Sequence, residues 1–578
     1  KDFGLAGGYV FQHDVERYCI ESELDPARRR DLHLKVANAV LKRRGRNPET
    51  GLRLAHHFEV AGEFVRAVEF WTYAGVASQR QPDPQVVYRH FSRALELVKH
   101  NLSLFNDQQI LDLVNKWADY AYDLNDNEIC RQIYRTCLDI GYDLQSSLLI
   151  GAGNSGLGRY NASIGKFDTA IFYFGHGSAQ LKKAGNLAEI YETFCRLGIL
   201  YIKMDQYKQA AASFEEGLRQ IGNLKGEREM ETRINLLTQI CILYCFQGQP
   251  QRAYQLASEM GDLSLLVSRP AANLQAASIL MMTLFYNHRF QDVLSLFGEY
   301  KRLSESPPVR EWLTLIDLAR GTAYLYLGDL DNTWKLIHQA YLREESHPYE
   351  KLIDSTRVFK GDLYRLLEEY DKAMEFYQQA IDNGGKAPPA VEARLKKGLL
   401  LLYRGNPEEG IACIEKCIAL SEEQGFISIG LEARLVCLLF QTKPIDEELI
   451  ESEAFEIVAE MKARGLMSAD FYELYIPAFF ALERKQNGKA LELFQQMSAH
   501  FRQEPNFWAE LYALRNILCL AAPKSGVYTA ARARLRKIME EMGKHATVNP
   551  VKSMYTKLRK KRFNKDFVNV LSTAILYK

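Results

Sequence analysis

The stretch "LGILYIKMDQYKQAAASFEEGL", Leu197 to Leu218, returns in altered form as "KGDLYRLLEEYDKAMEFYQQAI", Lys360 to Ile381. Gly198, Tyr201, Tyr207, Ala210 and Phe214 align with Gly361, Tyr364, Tyr370, Ala373 and Tyr377. The order is a small residue, an aromatic, an aromatic at a turn, a small residue, an aromatic. It suits two antiparallel helices in close contact. The glycine on the first helix lets the second approach, and the alanine early in the second completes that contact. The aromatics, with Tyr201 and Tyr364 expected in the core, fill the space between neighbouring hairpins.

The small residue of the second helix serves as a ruler along the chain. It falls at Cys130, Ala170, Ala210, Ala253, Val293, Thr333, Ala373 and Gly410, and more weakly at Ile450, Ala490 and Ala530. From 130 to 530 is 400 residues over ten intervals, a mean period of forty. The signature resembles the tetratricopeptide repeat, whose standard unit is about 34 residues. Here the spacing within the hairpin is kept. The extra residues lie between hairpins, as in "GNLKGEREME" and "DNGGKAPPAV". A HEAT-type array has a similar period but does not demand the Gly/Tyr/Ala order. The resemblance implies an all-α superhelical solenoid of about twelve hairpins, with a concave wall lined by the first helix of each.

One motif competes with this frame. Gly151-Ala152-Gly153-Asn154-Ser155-Gly156 spells G-x-G-x-x-G. A dinucleotide-binding turn needs a strand before it, a helix opening at it and an acidic residue about twenty positions on. That place holds "HGSAQLKK", without an acid. In the repeat frame Leu157 and Gly158 are the small-residue pair of a first helix, Phe167 is the turn aromatic and Ala170 begins the second helix. No cofactor is expected.

The N-terminal end reads differently. "GGYVFQHDVERYCI" suggests a short strand and then a helix. "DPARRRDLHLKVANAVLKRRG" has an N-cap Asp25 and Pro26 at the first helical position. "LAHHFEVAGEFVRAVEFWTYAG", Leu54 to Gly75, carries the repeat signature again. The matching residues are Phe11, His13, Arg29, Leu32, His33, Leu54, Ala55, His57, Ala61, Gly62, Ala67, Trp71, Ala74 and Gly75. This order resembles the junction of winged helix and helical repeats in STAND-type signalling ATPases. Class III adenylyl or guanylyl cyclases with a fused ATPase, kinases with the same module and maltose-regulator-like transcription factors share it. The resemblance implies a small winged-helix remnant and a sensor or regulatory arm. Such an arm binds a protein, a peptide or a small-molecule inducer, and acts in cis on an upstream ATPase through the Trp71 region. The alternative is a free-standing scaffold that bridges protein partners. The sequence holds no G-x-x-x-x-G-K-[ST], and it begins with Lys1 rather than Met, so a piece of a longer protein is expected. The expected divisions are 1–48 (winged-helix end), 49–105 (first repeat and linker helix), 106–545 (repeats) and 546–578 (basic capping helix).

Composition fits this frame. The 578 residues are 25% charged and 47% hydrophobic with a net charge of +1, which argues against a dominant nucleic-acid surface. The ten cysteines form no C-x-x-C pair, as reduced core residues of a cytoplasmic protein would be placed. No apolar run approaches the roughly eighteen residues of a membrane span. His56 and His57 are adjacent and so diverge by about 100° on a helix. Neither H-E-x-x-H nor G-x-S-x-G occurs. No catalytic, cofactor-binding or metal-ligating residue is assigned, and the protein is not expected to be an enzyme.

What remains is recognition. Inward positions of the repeat give Asn115, Asp119 and Tyr122 with Arg159 at one end, then Phe246, Met282, Phe285, Tyr286 and Tyr326, and later Arg365. A wall that is polar at one end and aromatic with Met in the middle suits a peptide or partner helix with an apolar anchor. Phe285, Tyr286 and Tyr326 are then expected to be partly exposed. The alternative is a tight superhelix whose inner side chains pack on one another. "KLRKKRFNKDF" adds a basic patch of Lys557, Arg559, Lys560, Lys561 and Arg562 on an amphipathic helix. It reads as a solvated cap, with contact to a membrane surface, nucleic acid or an acidic partner as the other readings.

Overall fold

The computed structural model describes residues 22–79, 83–220, 226–304, 310–346, 352–440, 447–466, 468–504 and 506–561. The strand and helix expected within 7–20, including Phe11 and His13, lie outside these residues, as does Arg562. Among the described residues the chain is all α, with no strand. It divides into two compact units, the first ending at Leu197 and the second beginning at Gly198.

Six pairs of successive helices close through one contact that recurs. A Cβ placed on Gly75, Gly158, Gly198, Gly321, Gly361 or Gly398 would lie 2.1–2.9 Å from a side-chain atom of Phe91, Phe174, Phe214, Ile337, Tyr377 or Ile414 respectively. The partner is sixteen residues downstream in every case. The first helix gives up its side chain so that the large residue of the second helix can lie against bare backbone. Phe214 and Tyr377 fill this space, not Tyr201 and Tyr364, which are only half-buried. The two tyrosines stand one turn nearer the end of the first helix, where the neighbouring hairpin covers them less.

The turns of the hairpins repeat just as regularly. Asn125, Gly165, Asp205, Gly248, His288, Gly328, Glu368, Gly405 and Lys485 all have left-handed backbone, with φ between 54° and 84°. The residue after each donates its N–H to the carbonyl five positions back, from Asp126 to Ala121 through Gln486 to Ala481. This bond caps the first helix and turns the chain into the second. Caps fix the starts: Asn106 and Gln109 form a reciprocal capping box, and Ser146 Oγ accepts from Leu149 N at 3.1 Å.

The small-residue ruler holds at Cys130, Ala170, Ala210, Ala253, Val293, Thr333, Ala373, Gly410 and Ala490, all buried. It fails at Ile450, which is half-buried, and at Ala530, which is exposed. There the buried alanines are Ala454 and Ala531, shifted four and one positions along helices of different register.

The second unit does not stay a simple stack. Lys208 Nζ donates to Glu422 O at 2.6 Å, and Trp508 Nε1 to Leu325 O at 3.0 Å. Asp331 accepts from Thr547 N at 2.7 Å. Within this unit the superhelix completes a turn and lays later hairpins on earlier ones.

Candidate functional site

The glycine-rich helix Ser147–Ser163 is buried among its neighbours in the first unit. Cβ atoms on Gly151, Gly153 and Gly156 would collide with Leu181, Leu138 and Tyr134 at 2.6, 2.9 and 2.0 Å. The glycines serve helix packing, and their backbone is not available to a phosphate.

That close packing brings three inner helix faces of the first unit together. Asn115 Nδ2 donates to Glu189 Oε1 at 3.0 Å, and the Ser155 and Thr193 hydroxyls meet at 2.8 Å. Toward the other end the wall opens. The Arg159 guanidinium lies 3.6 Å above the Tyr122 ring centroid and donates to Asp119 Oδ1 at 2.8 Å. Tyr122 and Asp119 are exposed. The Arg159 cation neutralises Asp119, one member of the like-charge pair Asp119 and Asp123. Arg196 approaches Arg159 closely enough to be felt electrostatically, and it is held by Glu192 at 2.5 Å. Asn115, Asp119, Tyr122 and Arg159 were expected on this wall from sequence, whereas Glu189, Glu192 and Arg196 were not. Those three repeat the 3,4 spacing of Ala152, Ser155 and Arg159, which is the signal that finds them.

The inner wall of the second unit is occupied by the chain itself. Phe246 meets Tyr286 edge-on at 6.2 Å and Phe426 at 6.4 Å, and Phe426 meets Tyr207 at 5.0 Å. Phe285 and Tyr326 are buried at 5% and 4% exposure, which corrects the expectation that they stand partly open. Tyr286 and Met282 are half-buried. Later hairpins cover these rings, so aromatics that face inward by repeat position become core. Burial pushes the Tyr286 and Tyr326 hydroxyls well above the usual phenol range.

Arg365 sits in a buried polar cluster of this interior. Asp362 accepts from the Tyr377 hydroxyl at 2.6 Å, pairs with Lys396 and lies 3.9 Å from Arg365. Lys396 also pairs with Glu392 at 3.2 Å. Buried charges that satisfy one another in this way make structural sense without a ligand.

A cavity of about 530 Å³ opens in the second unit. The turn residues His288 and Phe290, together with Tyr326, form part of its lining; Asp470, Phe471, His500 and Glu504 form another. Apart from Tyr326, none of these was singled out from sequence, because no local pattern joins residues some 180 positions apart.

Elsewhere, His57 Nδ1 lies 3.0 Å from His33 Nδ1, with His56 alongside. Among the described residues no group of three or more His, Cys, Asp or Glu is arranged to hold a metal ion. No described helix is long and apolar enough to cross a membrane. Lys557, Arg559, Lys560 and Lys561 belong to the helix Asn549–Lys561.

Comparison with known proteins bears on the repeats. The tetratricopeptide-repeat family model matches residues 191–221, 355–383 and 391–424. No curated protein matches the chain. Solved structures that match include the apo form of the quorum sensor NprR from B. thuringiensis, at 11% identity and TM-score 0.39, covering 64% of this chain and 100% of that one. Another is a Rap protein complexed with Competence and Sporulation Factor, at 14% identity and TM-score 0.30, covering 76% and 100%. The helical hairpins and the family matches together make the described residues an all-helical solenoid with tetratricopeptide repeats.

Proposed function

We propose that this chain is a non-catalytic recognition and regulatory module, and that the inner wall of its first unit takes a protein or peptide segment. The observation that carries this is the open group of Asp119, Tyr122 and Arg159 beside Arg196. A guanidinium already seated on an aromatic ring offers a carboxylate two or more directed N–H bonds with little ordering cost. The exposed Tyr122 ring supplies apolar contact. A segment that pairs an acidic with an apolar side chain fits. The second unit, whose inner aromatic wall is covered by its own later hairpins, is the scaffold in this reading.

The same module reads as the sensor arm of a larger signalling ATPase in the cytoplasm. Support comes from two residues matched at the junction that touch one another, His33 and His57, whose Nδ1 atoms lie 3.0 Å apart. A small-molecule inducer is compatible with that role. A free-standing scaffold is the alternative, and the gene upstream of Lys1 separates them: a Walker A motif followed by a winged helix supports the sensor arm, and an initiator Met close by supports the scaffold.

The recognition surface is tested by a photo-crosslinking residue at position 122, compared with one at position 142, which is exposed on the helix Asn127–Asp143. A partner should crosslink from 122 and not from 142, and Arg159→Glu should abolish the product. Equal crosslinking from both sites, or a product indifferent to Arg159→Glu, removes the assignment.

A further inference from the structure

The cavity of the second unit stands apart from the wall that carries the proposed recognition. Its volume falls in the range of small-molecule sites. Phe290 and Tyr326 stack in it at 4.7 Å with their planes 7° apart, and Phe471 and Phe501 add two more buried rings.

The charges are unbalanced. Lys462 reaches the cavity, but its ammonium is held by Glu473 at 2.7 Å. Arg289 is held by Asp292 at 2.5 Å and by the Tyr254 hydroxyl at 2.8 Å. Asp470 and Glu504 line the cavity and form no salt bridge among the described residues, although Asp470 also acts electrostatically on the Lys462 ammonium. Both act electrostatically on His288. Burial holds that imidazole below its ordinary value, which disfavours its charged form. His500 Nε2 is buried without a hydrogen-bond partner among the described residues. Two carboxylates and four rings therefore line one space, beside the His500 imidazole, whose Nε2 is closed off from solvent.

We propose that this cavity binds a small organic cation with an aromatic body, of the arylalkylammonium class. Its ammonium is held by Asp470 and Glu504, and its ring lies among Phe290, Tyr326, Phe471 and Phe501. Charge-assisted bonds to carboxylates and the negative faces of the rings both favour a cation over a neutral or anionic analogue of the same shape. Because the hairpin turn at His288 and the helices that begin at Ala469 and end at Gln503 belong to successive turns, the occupant ties them together.

Three probes of one shape test this with the intact chain: tryptamine, 3-ethylindole and indole-3-propionate, titrated by calorimetry at pH 7. Tryptamine should bind at least about tenfold tighter than either analogue and should raise the melting temperature by mass action. The variant Asp470→Asn with Glu504→Gln should keep its circular dichroism and lose the preference. Should the double variant not fold, each single variant is read in the same way. Absence of saturable tryptamine binding, equal binding of the three probes, or unchanged tryptamine affinity in the folded variants overturns the proposal. The crosslinking from position 122 is independent of every one of these outcomes.

Discussion

Phe214 rests on Gly198 so closely that a Cβ on the glycine would lie 2.1 Å from the ring. The same relation joins Gly361 to Tyr377 at 2.6 Å. Gly198→Ala and Gly361→Ala should each destabilise by about 1–3 kcal/mol through overpacking, despite the better helix propensity of alanine. Gly175→Ala is the control, since nothing lies within 4 Å of its Cβ position and it sits inside the helix Phe167–Ala184. It should stabilise by about 0.5–1 kcal/mol. Urea melts of the three variants check the contrast.

Left-handed turns predict the opposite sign for other glycines. Glu368 and Lys485 hold φ of 61° and 56°, where a side chain costs about 1 kcal/mol or more. Glu368→Gly should therefore raise stability by about 1 kcal/mol, and Gly405→Ala, at φ 84°, should lower it by a similar amount. Thermal melting that moves both variants the same way would contradict this account of the turns.

Lys360 gives the stability of the second unit a pH signature. Its side chain is 1% exposed, with Nζ 2.6 Å from His338 Nδ1 and 4.3 Å from the Trp334 ring centroid. Burial lowers its value to about 8, from an ordinary 10.5. Below pH 8 both folded and unfolded states carry the proton, and the folded state bears the buried charge. Between pH 8 and 10.5 the unfolded chain binds more protons, so this group's contribution to stability rises with pH. Lys360→Met should be more stable than the parent by about 1–3 kcal/mol at pH 7, with the gap closing as pH climbs through that window. Chemical denaturation at pH 7, 8, 9 and 10 reads the gap, and a constant gap refutes it.

Tyr286 and Tyr122 should separate packing from recognition. Tyr286 meets Phe246 and Phe285. Tyr286→Ala should cost about 2–4 kcal/mol and leave crosslinking at the first unit intact. Tyr122 stands exposed beneath Arg159, and Tyr122→Ala should cost under about 1 kcal/mol while weakening the partner interaction. A large melting shift from Tyr122→Ala would place that ring in the core instead.

The repeat was legible because its determinants are local. A glycine and the aromatic sixteen residues on are set by one hairpin, so Gly198 with Phe214 and Gly361 with Tyr377 could be aligned from sequence. Positions 450 and 530 misled because the ruler assumes constant register, and Ala454 and Ala531 depart from it. In the first unit the inward spacing placed Asp119, Tyr122 and Arg159 together, since neighbouring first helices lie side by side. The second unit defeats the same reasoning. Which residues face inward follows from the repeat, but whether the interior is open depends on how far the superhelix rises per turn. Phe426 arrives against Phe246, and Trp508 against Leu325, through the sum of many small interhelical angles that no single segment encodes. His288, Asp470, His500 and Glu504 are scattered in sequence for the same reason.

Those contacts between turns change how the polypeptide must mature. In a linear array each repeat is finished once its neighbour exists, so a nascent chain can fold as it leaves the ribosome. Here the Leu325 carbonyl waits for Trp508, 183 residues later, and Tyr207 waits for Gln424, 217 residues later. At cellular elongation rates such a wait lasts on the order of ten to forty seconds. Throughout it Phe246, Tyr286 and Tyr326 face solvent on a half-built spiral. The second unit is therefore the part of the protein whose yield should depend on holdase chaperones during synthesis, and a premature stop before residue 424 should leave a sticky fragment and not a shorter working solenoid.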